Sequence, residues 1–108
     1  MSALDQLFSE LRGRHRKAFM PFITAGDPDL EFTADVLRKL VRSGAHLCEL
    51  GIPYSDPIAD GPTIQDSYTR ALAQGIHLRD IFAMCGQLTP QLEAPVVTMV
   101  SFAIIYRH

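Results

Sequence analysis

Neither sign of charge dominates this 108-residue sequence: ten Lys and Arg stand against twelve Asp and Glu, a net charge of −2 at pH 7. A binder of nucleic acid or of an anionic membrane needs clustered positive charge to meet phosphate, so both partner classes are disfavoured. Long apolar runs are also missing. The longest, Ala94 to Tyr106, has 13 residues and includes Pro95, Thr98 and Ser101. A membrane-spanning helix needs roughly 20, so the run reads as a buried element. Cysteine is scarce: Cys48 and Cys85 form no close-spaced motif and no disulfide framework, and Cys48 reads as a small buried apolar residue. The opening residues Met1 to Gln6 lack a basic region followed by an apolar stretch, so no secretory signal is expected. His15, His46, His77 and His108 are 31 residues apart and show no metal-ligand spacing, so no metal is expected. The glycines match neither the dinucleotide fingerprint nor the phosphate loop, and Ser55 and Ser101 lack a nucleophile elbow. What is present is 47% hydrophobic and 20% charged, a composition that builds a core. The expectation is one small domain, cytoplasmic, and an enzyme or part of one.

Periodicity orders the chain. Leu4, Leu7, Phe8 and Leu11 share one stripe of a short helix, with Ser2 and Asp5 spaced as a capping box. The cluster Arg12, Arg14, Arg16 and Lys17 suits that helix's C-terminal end. Ala18 to Thr24 reads as a strand, although Pro21 removes a ladder donor. Asp27 is expected as N-cap and Pro28 as the first residue of a second helix. That helix buries Leu30, Ala34, Leu37 and Val41 and stops at Gly44. A second strand, Ala45 to Leu50, leads into a loop dense in Pro, Gly and Asp. Two helical patterns follow, one through Ile64, Tyr68, Ala71 and Leu72 to Gly75, the other through Leu78, Ile81, Phe82 and Cys85. A third strand begins at Pro95, with no helix expected after it. Strands alternating with helices imply parallel pairing through right-handed crossovers.

Two carboxylates stand out by position. Glu49 ends the second strand, and a parallel strand is buried on both faces. A buried carboxylate is costly and responds by pairing with a cation or by a raised pKa. The first is a structural role; the second is what a general acid or base needs. Asp56 and Asp60 lie in the loop after that strand, where α/β proteins place their sites. Aspartate beside Pro or Gly also serves simply as a turn or cap residue, and the spacing leaves both roles open. Pro53 and Pro57 suggest a loop stiff enough to dock on something.

Two segments, Pro21-Phe-Ile-Thr-Ala-Gly-Asp-Pro28 and Cys48-Glu-Leu-Gly-Ile-Pro-Tyr-Ser-Asp-Pro-Ile-Ala-Asp-Gly-Pro-Thr-Ile-Gln65, together resemble the tryptophan synthase alpha chain family. The second is a long, nearly uninterrupted match. The resemblance extends over essentially all 108 residues but only the front of the family's chain. It implies a (β/α)8 TIM barrel of which residues 1–108 supply the first three strands. It implies a lyase that cleaves indole-3-glycerol phosphate to indole and glyceraldehyde 3-phosphate, with Glu49 and Asp60 as the catalytic pair. Phe22 and Ile64 match positions lining the indole pocket, with Val100 and Phe102 as further expected members. The loop from Pro53 through Asp56 and Pro57 to Asp60 corresponds to the part that meets a beta chain in an alpha2-beta2 tetramer. The pyridoxal phosphate belongs to that beta chain, and no cofactor is expected here.

The sequence also departs from the family pattern. Ser101 to Tyr106 stands where many members carry Tyr-Ala-Asn, so Ile104 replaces a polar side chain. Barrels of this type run to about 250 residues and hold phosphate after strands seven and eight, so the phosphate grip and barrel closure are expected outside these residues. Beside the enzyme reading stands a second: a truncated, inactive product able at most to dock on a beta chain.

Overall fold

The computed structural model describes residues 2–57 and 59–107. Met1, Ile58 and His108, read above as chain start, loop residue and isolated histidine, lie outside the described residues. Helix α1 (Ala3–Gly13) precedes β1 (Phe22–Thr24), α2 (Leu30–Arg42) and β2 (Cys48–Gly51). Then come α3 (Pro62–Ala73), α4 (Leu78–Leu88), a 3-10 turn (Thr89–Gln91), β3 (Val96–Met99) and a short α5 (Phe102–Arg107). The strands form one parallel sheet in the order β1-β2-β3, the topology that the alternation predicts. No helix of the described residues is long and apolar enough to cross a membrane.

The register divides the sheet into two faces. Phe22, Glu49 and Val97 are in register, as are Thr24, Gly51 and Met99. Alternation puts the intervening residues on the opposite face, and there Cys48, Leu50 and Ile52 pack with Leu37, Ile81 and Leu88 in the core under α2 and α4. The face bearing Phe22, Glu49 and Val97 is the more open one. Glu49 is therefore half-buried, not buried as a strand covered on both faces would make it.

Local chemistry explains where elements start and stop. The Ser2–Asp5 capping box forms as expected: the Ser2 hydroxyl accepts from the Asp5 N–H, and the Asp5 carboxylate accepts from the Ser2 N–H. Gly44 and Gly75 take positive φ values of 106° and 73° after α2 and α3, the left-handed stops the pattern predicts. Three expectations fail. The first strand begins at Phe22, not Ala18. Pro21 has no N–H, and the Phe19 N–H is diverted to His46 Nδ1 at 2.8 Å, while the His46 N–H returns to the Phe19 carbonyl at 2.9 Å. The second helix is capped by Asp29, whose carboxylate accepts from the Phe32 N–H at 2.7 Å, because Asp27 is engaged elsewhere. The apolar run from Ala94 is not one strand. It breaks after Met99 into α5, where the Ser101 hydroxyl accepts from the Ala103 N–H and the rings of Phe102 and Tyr106 sit one turn apart at 6.0 Å.

The central strand and the short last helix therefore differ in what they contribute. Leu50 is fully buried and Phe102 is 75% exposed. Leu50→Ala should cost about 3 kcal/mol, as large-to-small core changes do, whereas Phe102→Ala should stay within about 0.5 kcal/mol. Urea unfolding followed by circular dichroism measures both, and comparable losses would contradict this division.

Candidate functional site

The loop from Ile52 to Gly61 leaves the C-terminal end of β2, and three contacts fix the helix that follows it. The Ser67 hydroxyl donates to the Ile64 carbonyl at 2.7 Å, so the Thr24 hydroxyl of β1 donates to Ser67 at 2.6 Å, out of contact with water. Arg70 grips the Asp27 carboxylate with two bonds, 3.0 Å from Nε and 2.9 Å from Nη2. The fork geometry gives specificity more than energy, since Arg70 is largely exposed. The Gln65 side-chain amide donates to the Asp60 carbonyl at 2.6 Å. Together these tie α3 to the edge of β1 and tie the end of the loop to α3.

Asp60 makes its turn through the main chain. Its N–H donates to the Pro57 carbonyl at 3.1 Å and its carbonyl accepts from Gln65, so the backbone makes the turn. The side chain is left to a cavity of 440 Å³ that Asp60 lines with Ile52, Tyr68, Met99, Val100 and Ser101. The cavity is mostly apolar, and the carboxylates of Asp60 and Asp56 are among its lining groups. Such a wall can receive a flat aromatic ring and hold a ring N–H.

Gly51 shows why this end of β2 is open. A Cβ there would lie 2.5 Å from Phe22 Cζ and 2.9 Å from the Tyr68 hydroxyl. The absent side chain is what lets the Phe22 ring and the Tyr68 phenol converge over the strand end. Tyr68 is nearly buried. Burial first, and then the negative charge of Asp60, push its phenol above the ordinary tyrosine value. Helical spacing alone marks Tyr68 as a core residue. The signal that could have singled it out is its hydroxyl, because a buried tyrosine needs a polar neighbour.

The remaining expected residues fall in different places. Val100 lines the Asp60 cavity. Phe22 and Ile64 line a second cavity of 300 Å³, with Thr24, Thr33 and Ser67, along the free edge of β1. Glu49 shares the face of Phe22 and Val97 but lines neither cavity among the described residues. Phe102 is not brought to the site: α5 begins at this residue and turns it outward. Pro53 is buried against a 760 Å³ cleft that also holds Tyr54, Ile76, Phe82 and Ile104, while Asp56, exposed, and Pro57, half-exposed, line the Asp60 cavity. Among the described residues no cluster of His, Cys, Asp and Glu could hold a metal.

A parallel sheet of three strands alternating with helices defines the class, the opening part of a (β/α)8 barrel. A family model described as tryptophan synthase alpha chain matches residues 8–108, and the chain belongs to that family. The alpha chain of Rhodopirellula baltica is 53% identical over 110 residues, and that of Rippkaea orientalis is 49% identical over 108. Each match takes in 99% of this chain and 40% of the relative. Tryptophan synthase subunit alpha of Legionella pneumophila superposes with a TM-score of 0.94 at 42% identity, over 99% of this chain and 41% of that one. A chain of the tryptophan synthase complex of Pyrococcus furiosus gives 0.78 at 44% identity, over 83% of this chain and 37% of its own. The chain thus spans about two-fifths of the length of the relatives it matches.

Two measurements check this geometry. Gly51→Ala should destabilise the chain by about 1–3 kcal/mol, the usual cost of overpacking, and should shift the Phe22 ring resonances. Unchanged stability and ring shifts would show that the strand end is not close-packed. Asp60→Asn should lower the Tyr68 phenol titration midpoint followed by tyrosine 13Cζ NMR, since removing a neighbouring negative charge makes the phenolate easier to form. A midpoint that stays put would separate the two groups.

Proposed function

We propose that residues 1–108 are the N-terminal part of a single barrel domain whose complete form cleaves indole-3-glycerol phosphate into indole and glyceraldehyde 3-phosphate, in the cytoplasm. The observation carrying this reading is Asp60 lining a mostly apolar cavity at the strand ends, with Glu49 on the strand that leads into its loop. In the reaction the indole ring gains a proton at C3 and its nitrogen becomes positively charged. The glycerol hydroxyl then gives up its proton, the carbon–carbon bond breaks, and its electron pair returns to the ring. Glu49, half-buried, moves these protons as general acid and then base. Asp60 stays ionised and holds the ring N–H as charge develops. Two carboxylates in different surroundings suffice for this chemistry, so the alpha chain needs no cofactor of its own. Phe22, Ile64 and Val100 supply apolar walls for the ring.

The partner is a beta chain, the source of the pyridoxal phosphate, met through the loop that exposes Asp56 and Pro57 in an alpha2-beta2 assembly. The Pyrococcus furiosus structure is described as a tryptophan synthase complex. A second reading, in which the 108 residues dock on a beta chain but turn nothing over, is favoured by the open sheet face on which Glu49 is half-exposed.

The test joins this segment to the part of the Rhodopirellula baltica alpha chain beyond it, giving a completed barrel. Indole release is expected from the completed barrel and not from the 108 residues alone. Glu49→Gln in the completed barrel should lower kcat by about a hundredfold or more, the scale of general acid–base catalysis, with the thermal midpoint unchanged. Near-normal turnover would remove Glu49 from its role. Wild-type turnover by Asp60→Asn would do the same for Asp60.

A further inference from the structure

Among the described residues, Tyr68 is a nearly buried hydroxyl-bearing ring at the strand ends whose chemistry the proposed reaction leaves unused. It sits 3% exposed on α3, and its hydroxyl lies over Gly51, two residues past Glu49 on the same face of β2. Its neighbour in the helix, Ser67, is pinned to Thr24 at 2.6 Å, and one turn before it Gln65 is bonded to the Asp60 carbonyl at 2.6 Å. The same helix thus holds both the phenol and the backbone of Asp60. The two residues line one cavity.

We propose that Tyr68 is a positioning residue for Asp60: when a ring occupies the cavity, the phenol hydroxyl donates to the Asp60 carboxylate and holds it turned toward the ring N–H. This rests on the role proposed for Asp60. Hydrogen bonds of this kind are commonly long in the empty site and tighten only around a ligand. The phenol is suited to donate. Burial and the nearby carboxylate both favour its protonated form, so the hydroxyl keeps the proton it donates. Gly51 is the enabling gap, because any side chain there would occupy the space of the phenol oxygen.

The test is a double-mutant cycle on the affinity of the completed barrel for indole, read by NMR titration. Tyr68→Phe keeps the ring and loses only the hydroxyl. It should weaken indole binding about fivefold, the equivalent of one hydrogen bond, and less than about twofold once Asp60 is already alanine, because coupled residues are not additive. Equal losses in the two backgrounds, or no loss from Tyr68→Phe, would overturn the positioning role while leaving Asp60 in place. Wild-type indole affinity in Asp60→Ala would instead overturn the role of Asp60, and that of Tyr68 with it. The thermal midpoints of all variants exclude a folding defect as the cause.

Discussion

The hydroxyl pair of Thr24 and Ser67, 2.6 Å apart and closed off from water, docks α3 on the edge of the sheet, and the geometry of the strand ends follows from it. A buried hydroxyl without a partner is costly. The chain Thr24 to Ser67 to the Ile64 carbonyl uses each donor once. With Ser67 held, the next residue, Tyr68, falls over Gly51, and Gln65 reaches back to Asp60. The Asp27–Arg70 fork closes the same helix from the other loop, at the expense of the cap that Asp27 could have supplied to α2.

The two carboxylates differ in kind because one sheet face is covered by α2 and α4, while the other is covered by α3 only at the strand ends. Asp60 belongs to a loop that the backbone folds without help from its side chain. Glu49 belongs to a strand whose helix-facing neighbours, Cys48 and Leu50, are wholly buried while it is not. The relatives are about two and a half times as long as this chain, and a barrel closes by adding strands at the sheet edges until they enclose one face. The half-burial of Glu49 and the separation of Phe22 and Ile64 from the Asp60 cavity are properties of an open three-strand arc.

Much of this was legible in the sequence. The helix stripes, the Ser2–Asp5 box and the glycine stops are local signals, set within a few residues by hydrogen-bond geometry and backbone sterics, and they appear where expected. Glu49 and Asp60 could be singled out because strand period and loop composition are also local. What escaped depends on distant partners. Asp27 looked like a cap because nothing near it announces Arg70, 43 positions away. The first strand looked longer because the claim of His46 on the Phe19 N–H is 27 positions distant. The run after Pro95 looked like one strand because apolar content does not reveal where a chain turns from strand to helix. Tyr68 looked like core because its burial was predictable and the position of its hydroxyl was not.

The central claim is that Asp60 holds a ring N–H in an apolar cavity at the strand ends. A crystal structure of the completed barrel soaked with indole tests it most directly. The account predicts the indole nitrogen within about 3 Å of an Asp60 carboxylate oxygen, ordinary hydrogen-bond distance, with the ring against Val100. Indole bound with its nitrogen turned away from Asp60, or seated only in the cleft beside Pro53 and Phe82, would contradict it.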